Sequence, residues 1–224
     1  DHVCRVWVNY ARMAMLVRRD ADIGVVYERS RRGTESAAAH GLSRAFDLFR
    51  FGTAYVCSVI GDTETARRLL EEVGRTTGSA PLFAAWCAIH IGWCHFQDGA
   101  YERAVLEARN AFELDPHHAY ALAAIARLEL GERTEAERLI GLSLDGIDSG
   151  FVTPWVVAVS CAVAAQIALA GGRLDDAARF AERASQCEQA PTSLRSFIDR
   201  RVLDVKRARG EDVRRLLARM ASRI

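Results

Sequence analysis

Four glycines that each end a predicted helical stretch are followed, five residues later, by an alanine inside the next stretch, and this recurring pair constrains the fold more than any other feature. Counted along the sequence, the glycines are 38, 32 and 41 residues apart. A period of this size is typical of stacked supersecondary units, so we expect a repeat architecture. The pairs are Gly61 and Ala66, Gly99 and Ala104, Gly131 and Ala136, and Gly172 and Ala177.

Each repeat is predicted to be a hairpin of two helices. The glycine permits a turn with positive φ after the first helix, and an acidic or hydroxylated residue then caps the second helix. Asp62, Thr134 and Asp175 are placed for this role. The small alanine lets the two antiparallel helices approach closely. A further hairpin is expected to turn at Gly210, and a first one near residues 20–22.

The composition indicates an all-α fold. The chain of 224 residues is 50% hydrophobic with only four prolines, and it has hardly any alternating β-branched run. Twelve helices in six antiparallel hairpins are predicted. Their approximate ranges are 2–18, 23–38, 42–59, 62–75, 81–97, 100–113, 117–130, 132–144, 153–170, 173–188, 192–208 and 211–222.

The stretch from Ala85 to Pro116 resembles a tetratricopeptide repeat, and the stretch from Ala158 to about Pro191 is similar. The resemblance implies a right-handed superhelical solenoid, with residues 1–224 forming a single repeat domain of the tetratricopeptide kind. In the first stretch it is carried by Ile91, Gly92, Gly99, Tyr101, Ala104, Ala111 and Pro116, and in the second by Ala165, Gly172, Ala177 and Ala184.

The phrase IALAGGRLDDAARFAERA resembles the repeats of large bacterial ATPase-linked transcription regulators related to the maltose-regulon activator. This second resemblance implies a non-catalytic ligand-sensing or protein-docking domain of a bacterial signalling or transcription regulator. Because the chain begins at Asp1, we expect a fragment of a longer protein, whose other domains would be partners of this one.

The tetratricopeptide register predicts a concave groove rich in aromatic side chains. Such a surface suits a peptide helix, a small apolar molecule or a stacked sugar ring. The alternative is that these aromatic residues form the core of the stack. The predicted binding residues are Trp7, Tyr10, Phe51, Tyr55, Trp86, Ile89, Trp93 and Phe96.

Arg200 is a candidate anchor for an anionic end of the ligand. The alternative is an ordinary pair between Arg200 and Asp204 on one helix face. The tail around these residues is locally basic, but the formal charge of the whole chain is only +1. Its arginines alternate with apolar residues as in an amphipathic helix pair, so we expect no direct binding of nucleic acid.

Catalytic and metal-binding chemistry find little support in the sequence. Cys87, His90 and Cys94 share a helix at i, i+3 and i+7, but no second ligand pair accompanies them. No nucleophile elbow, phosphate-binding loop or paired carboxylates occur in a suitable context. We therefore expect no enzyme activity, no metal and no cofactor.

Six cysteines without a C-x-x-C pair indicate reduced thiols and a cytoplasmic location. The longest apolar run, at residues 156–170, is too short to span a bilayer, so no membrane partner is expected. Two other functions stay open: a structural scaffold, including a homo-oligomer, and an accessory subunit of a multiprotein complex.

Overall fold

The computed structural model describes residues 3–10, 23–76, 80–148, 152–187 and 192–221, and every regular element among them is an α-helix. Residues 3–10 belong to α1. The other helices are α2 (Ile23–Ala39), α3 (Ser43–Val59), α4 (Thr63–Thr76), α5 (Pro81–Gln97), α6 (Tyr101–Arg109), α7 (Pro116–Glu129), α8 (Arg133–Leu144), α9 (Pro154–Ala170), α10 (Leu174–Ser185), α11 (Thr192–Ala208) and α12 (Arg214–Ala221).

For α2 to α12 the predicted helix positions are confirmed to within a few residues. Of the helix predicted at 2–18, residues 3–10 are helical, and residues 11–18 lie outside the described residues. The largest difference is at α6, which ends at Arg109, followed by α10, which ends at Ser185, and α12, which begins at Arg214. After α6 the chain forms tight turns, in which the Ala111 N–H donates to the Ala108 carbonyl at 3.0 Å. Pro116 disfavours helical geometry at the residue before it, so the turns are not continued as helix. The turn predicted near residues 20–22 lies outside the described residues.

The glycine turns are confirmed. All four glycines of the pairs have positive φ, between 73° and 86°, as does Gly210 at 71°. At the first turn the Gly61 N–H donates to the Ser58 carbonyl at 3.3 Å, and the Asp62 N–H donates to the Cys57 carbonyl at 2.9 Å. This pair of bonds is a Schellman motif, and it recurs at each of these glycines. The sequence prediction missed a sixth such turn at Gly41, between α2 and α3.

The paired alanines are fully buried, with 0% exposure at all four positions. Each alanine N–H donates to the carbonyl of the residue that follows the glycine, as Ala66 does to Asp62 at 3.1 Å. The alanine is therefore in the first turn of the second helix, where a larger side chain would push the neighbouring helix away. One glycine and one alanine together set the start and the packing distance of each second helix.

Only one of the three predicted caps is confirmed. The Thr65 N–H donates to the Asp62 carboxylate at 3.2 Å, so Asp62 caps α4. The other two predictions were wrong, because Thr134 and Asp175 lie inside the first turns of α8 and α10. Asp175 still places a negative charge near the positive end of the α10 dipole.

The chain divides into two compact units, Asp1–Asp115 with α1 to α6 and Pro116–Ile224 with α7 to α12. In the first unit, each helix from α2 to α6 packs against the next, and α3 also contacts α5. Phe49 and Leu70 are buried members of two different core clusters there. This sequential packing is consistent with a helical-repeat solenoid. The number of hairpins, the superhelical hand and the single domain over residues 1–224 stay predictions.

In the second unit, α9 packs against α7, α8, α10 and α11. It is apolar around its whole circumference, and most of its residues from Val156 to Ala168 are buried. A helix that is apolar all round is stable only when neighbours cover every side. The sequence of α9 therefore makes it the central helix of this unit.

Candidate functional site

An aromatic seam joins α3 and α5 in the first unit. Phe51 of α3 lies 5.3 Å from Phe83 and 5.0 Å from His90 of α5, measured between ring centroids. Tyr55, one turn after Phe51, is 6.3 Å from the same imidazole. These edge-on and tilted contacts are the preferred geometries of aromatic pairs. We call Phe51, Tyr55, Phe83, Trp86 and His90 the aromatic face.

Trp86 is the exposed end of the aromatic face. Its side chain is 41% exposed, and it contacts Phe83 edge-on at 6.2 Å. The other four members are partly buried. Tryptophan is the residue type most enriched at binding hot spots, because its large rigid ring loses little entropy when it is covered. Trp86 is thus suited to contact a ligand, because its ring packs against Phe83 and is still partly exposed.

The imidazole of His90 is neutral at pH 7. It packs among the rings of Phe51 and Tyr55, and this burial lowers its pKa from 6.5 to about 4. Desolvation disfavours the charged form of a histidine. The aromatic face therefore offers stacking surface without a positive charge from His90.

The structure places the other predicted groove residues of α5 differently. Ile89 has no exposed surface, and Trp93 is only 7% exposed. Trp93 contacts Phe96 at 5.7 Å, and Phe96 in turn contacts Tyr101 of α6 at 5.5 Å. Ile89 and Trp93 therefore pack in the core of this conformation, and their predicted role in binding stays a prediction.

Trp7 and Tyr10 belong to a second row of rings, and Tyr10 packs against the same core cluster as Tyr55. Tyr10 stands edge-on to Phe49 at 5.7 Å, and Trp7 stands edge-on to Tyr10 at 6.3 Å. Trp7 is 38% exposed, whereas Phe49 is fully buried. The cluster thus runs from the core through Tyr10 to the exposed Trp7.

Arg200 lies in the second unit, on α11. Its Nε atom is 3.5 Å from the Asp204 carboxylate, and its side chain is 64% exposed. The i,i+4 pair considered as an alternative is present, and an exposed pair of this kind contributes little stability. Anchoring of an anionic ligand by Arg200 stays a prediction.

Sequence reasoning missed Phe83 and His90 as members of the aromatic face. The tetratricopeptide register selected Trp86, Ile89 and Trp93 on α5, whereas the stripe that carries the exposed tryptophan runs through Phe83, Trp86 and His90. The i, i+3, i+7 spacing of these three residues was visible in the sequence. Which of two overlapping stripes faces outward depends on how α3 packs.

No protein-family model matches the chain. No curated protein sequence matches it either.

Among the described residues, no group of three or more His, Cys, Asp or Glu side chains is arranged to hold a metal ion. Cys87 packs with Leu70 and Val73, whereas Cys94 packs with Cys57. Burial raises the pKa of the Cys87 thiol to about 12 and that of Cys94 above its usual value. Both sulfurs are therefore thiols at neutral pH.

The serine and histidine contacts in the second unit join helices. The His117 Nδ1 lies 2.7 Å from the Ser143 backbone carbonyl, and the Ser143 hydroxyl donates to the His117 backbone carbonyl at 2.7 Å. Ser143 is fully buried and also contacts the Ser160 hydroxyl at 2.8 Å. A reactive serine instead needs a side-chain base and access to substrate.

In the described part of the chain, no helix is long and apolar enough to cross a membrane.

Proposed function

We propose that this protein is a non-catalytic helical-repeat module that binds a partner through the aromatic face of its first unit. The exposure of Trp86, at the end of a connected row of rings, carries the proposal. Its ring is held by Phe83, which is held in turn by Phe51. A ligand that covers Trp86 would gain apolar contact without first ordering a loop.

The chemistry of the face favours an apolar ligand without a negative charge. His90 is neutral at pH 7 because its pKa is about 4, and the neighbouring Leu82 adds exposed apolar surface, with 46% of it accessible. The apolar side of a peptide helix fits this surface best, since such helices present large side chains at i, i+3, i+4 and i+7. A small apolar molecule or a sugar ring uses the same rings with less contact area.

The proposal also includes the finer assignments that the sequence suggested. These are tetratricopeptide-type repeats in a right-handed superhelix, a cytoplasmic location, and a place in a bacterial signalling or transcription regulator. In such a regulator, a ligand that contacts several hairpins would favour one arrangement of the repeats and so bias the attached domains. The Schellman turns with their buried alanines support the repeat assignment, whereas the location and the regulator role rest on the sequence resemblance alone.

A structural or oligomerisation scaffold is the second candidate function. Val3, Trp7 and Val8 are exposed on α1, and Val3 and Trp7 are one turn apart, so they offer a second apolar strip. In a homo-oligomer, strips of this kind would be covered by another copy.

Tryptophan quenching distinguishes the two functions. Acrylamide quenching would be measured on the wild type and on Trp86→Phe, with light scattering giving the mass of each. The binding function predicts a monomer of 24.7 kDa that loses a strongly quenched component in Trp86→Phe. A multimer in which Trp86 is protected would instead support the scaffold. Trp155→Phe serves as the matched control, because Trp155 is partly buried against His118 in the second unit and its loss should leave the strongly quenched component in place.

A further inference from the structure

A cleft of about 400 Å³ lies between α4, α5 and α6 in the first unit. It is separate from the aromatic face, because the two use different sides of α5. At about 100° per residue, the stripe of Ala84, Ala88 and Ile91 points about 130° away from the stripe of Phe83, Trp86 and His90. A ligand in the cleft would therefore contact none of the exposed rings.

Small residues create the cleft. Gly74 of α4 and Ala84, Ala85 and Ala88 of α5 line it, and none of them has a side chain that reaches across the gap. A Cβ added at Gly74 would lie 3.8 Å from the Cβ of Cys87, which is ordinary contact. The cleft therefore exists because the residues that line it are small, and not because the backbone is strained. Its volume falls within the range of about 300 to 1,000 Å³ that is usual for small-ligand sites.

Two carboxylates lie in the lining of this otherwise mostly apolar cleft. Glu71 comes from α4 and Glu107 from α6. The Asn110 side chain donates to Glu107 at 3.3 Å. Burial raises the pKa of Glu107, and the negative charge of Glu71 raises it further. The negative charge of Glu71 therefore disfavours ionisation of Glu107, and a cation beside the two side chains would offset both that charge and the cost of burying the Glu107 carboxylate.

We propose that this cleft binds a primary amine carried on an apolar stem. The ammonium group would lie between Glu71 and Glu107 and donate hydrogen bonds to both carboxylates. The apolar stem would pack on Ala84, Ala85 and Ala88 and on the exposed side of Leu114, which also lines the cleft. The cleft is a second site, independent of the proposed function of the aromatic face.

The test is a titration of the ¹⁵N-labelled chain with n-hexylammonium chloride, followed by amide chemical shifts. Saturable shifts are expected at Gly74, Ala88 and Glu107. The neutral analogue n-hexanol should bind more weakly, and hexanoate should not bind. Raising the salt concentration should weaken binding of the ammonium but not of the alcohol. Shifts that do not saturate, or equal binding of all three probes, would overturn the proposal.

Two variants locate the site. Glu107→Gln keeps the shape and removes one charge, and it should weaken hexylammonium binding about fivefold. Glu102→Gln is the matched control on the same helix, since Glu102 is exposed and does not line the cleft; it should bind as the wild type does.

Ala88→Leu should abolish binding by filling the cleft, with circular dichroism as a check on folding. Unchanged binding in Glu107→Gln would refute the assignment of the carboxylates. The result does not bear on the aromatic face, because Trp86→Phe should bind hexylammonium normally.

Discussion

The ring of Phe51 stands edge-on to the imidazole of His90, with the centroids 5.0 Å apart and the planes at 89°. Through this contact α3 holds the part of α5 that also carries Trp86. The contact needs an uncharged imidazole, because a charged one would lose its hydration among the surrounding rings. Folding and the integrity of the aromatic face are therefore linked to the protonation of one side chain.

Acidification is expected to destabilise the first unit through His90. Its pKa in the folded state, about 4, is below the ordinary value of 6.5, so the unfolded chain binds the proton more tightly. The contribution of neutral His90 to the free energy of unfolding is fully present above about pH 6.5 and is lost as the pH falls toward 4. The loss is about 3 kcal/mol.

Urea unfolding at several pH values checks the prediction. In His90→Phe, the free energy of unfolding should decrease less between pH 6.5 and 4 than it does in the wild type. The control His40→Gln changes an exposed histidine and should leave the fall as in the wild type. An equally steep fall in His90→Phe would show that other groups cause it.

Two glycine-to-alanine substitutions should have opposite effects on stability. Gly99 has a φ of 74°, which costs an L-residue about 1 to 2 kcal/mol. Gly99→Ala is thus expected to lower the thermal midpoint by about 2 to 4 °C per kcal/mol. Gly74 is helical, and its added Cβ meets only ordinary contact, so Gly74→Ala should stabilise by up to about 1 kcal/mol. Calorimetry of both variants measures this, and a stabilising Gly99→Ala would contradict the Schellman geometry.

The thiols should react with 5,5′-dithiobis(2-nitrobenzoate) in an order set by burial. Cys4 is exposed, whereas Cys57, Cys87, Cys94 and Cys161 are buried. Burial raises the pKa of Cys87 to about 12 and that of Cys161 to about 11, so both react only after the chain opens. Cys4→Ser should remove the fastest phase, and Cys161→Ser should leave it unchanged. Fast labelling of Cys161 in the folded protein would disprove its burial.

The helices and their glycine turns could be predicted from the sequence because each depends on local chemistry. A positive φ favours glycine at Gly61 and Gly99, and a close helix contact favours Ala66 and Ala104. Thr134 and Asp175 show the limit of this reasoning. Both residue types favour caps, but the Schellman bonds start α8 and α10 earlier along the chain, after Glu132 and Arg173.

The exposed face of α5 could not be predicted in the same way. Helix α5 is apolar on nearly all sides. Either of two stripes of side chains could therefore face the core, and the hydrophobic periodicity does not tell which one does. The packing of α3 decides between them by placing Phe51 against Phe83 and His90. The cleft could not be predicted from the sequence either. Gly74 and Ala88 are ordinary helix residues, and the space beside them depends on how α4, α5 and α6 pack together.

The most direct test of the aromatic face is an unbiased selection of helical peptides from a displayed library against the intact chain. Affinities of the selected peptides would be measured for wild type, Trp86→Ala and the control Leu174→Ala, which removes an exposed apolar side chain in the second unit. Loss of a central tryptophan typically costs a binding partner at least 2 kcal/mol, so most peptides should bind Trp86→Ala about thirtyfold more weakly and Leu174→Ala unchanged. Peptides that bind wild type and Trp86→Ala equally well would show that the aromatic face is not the binding surface.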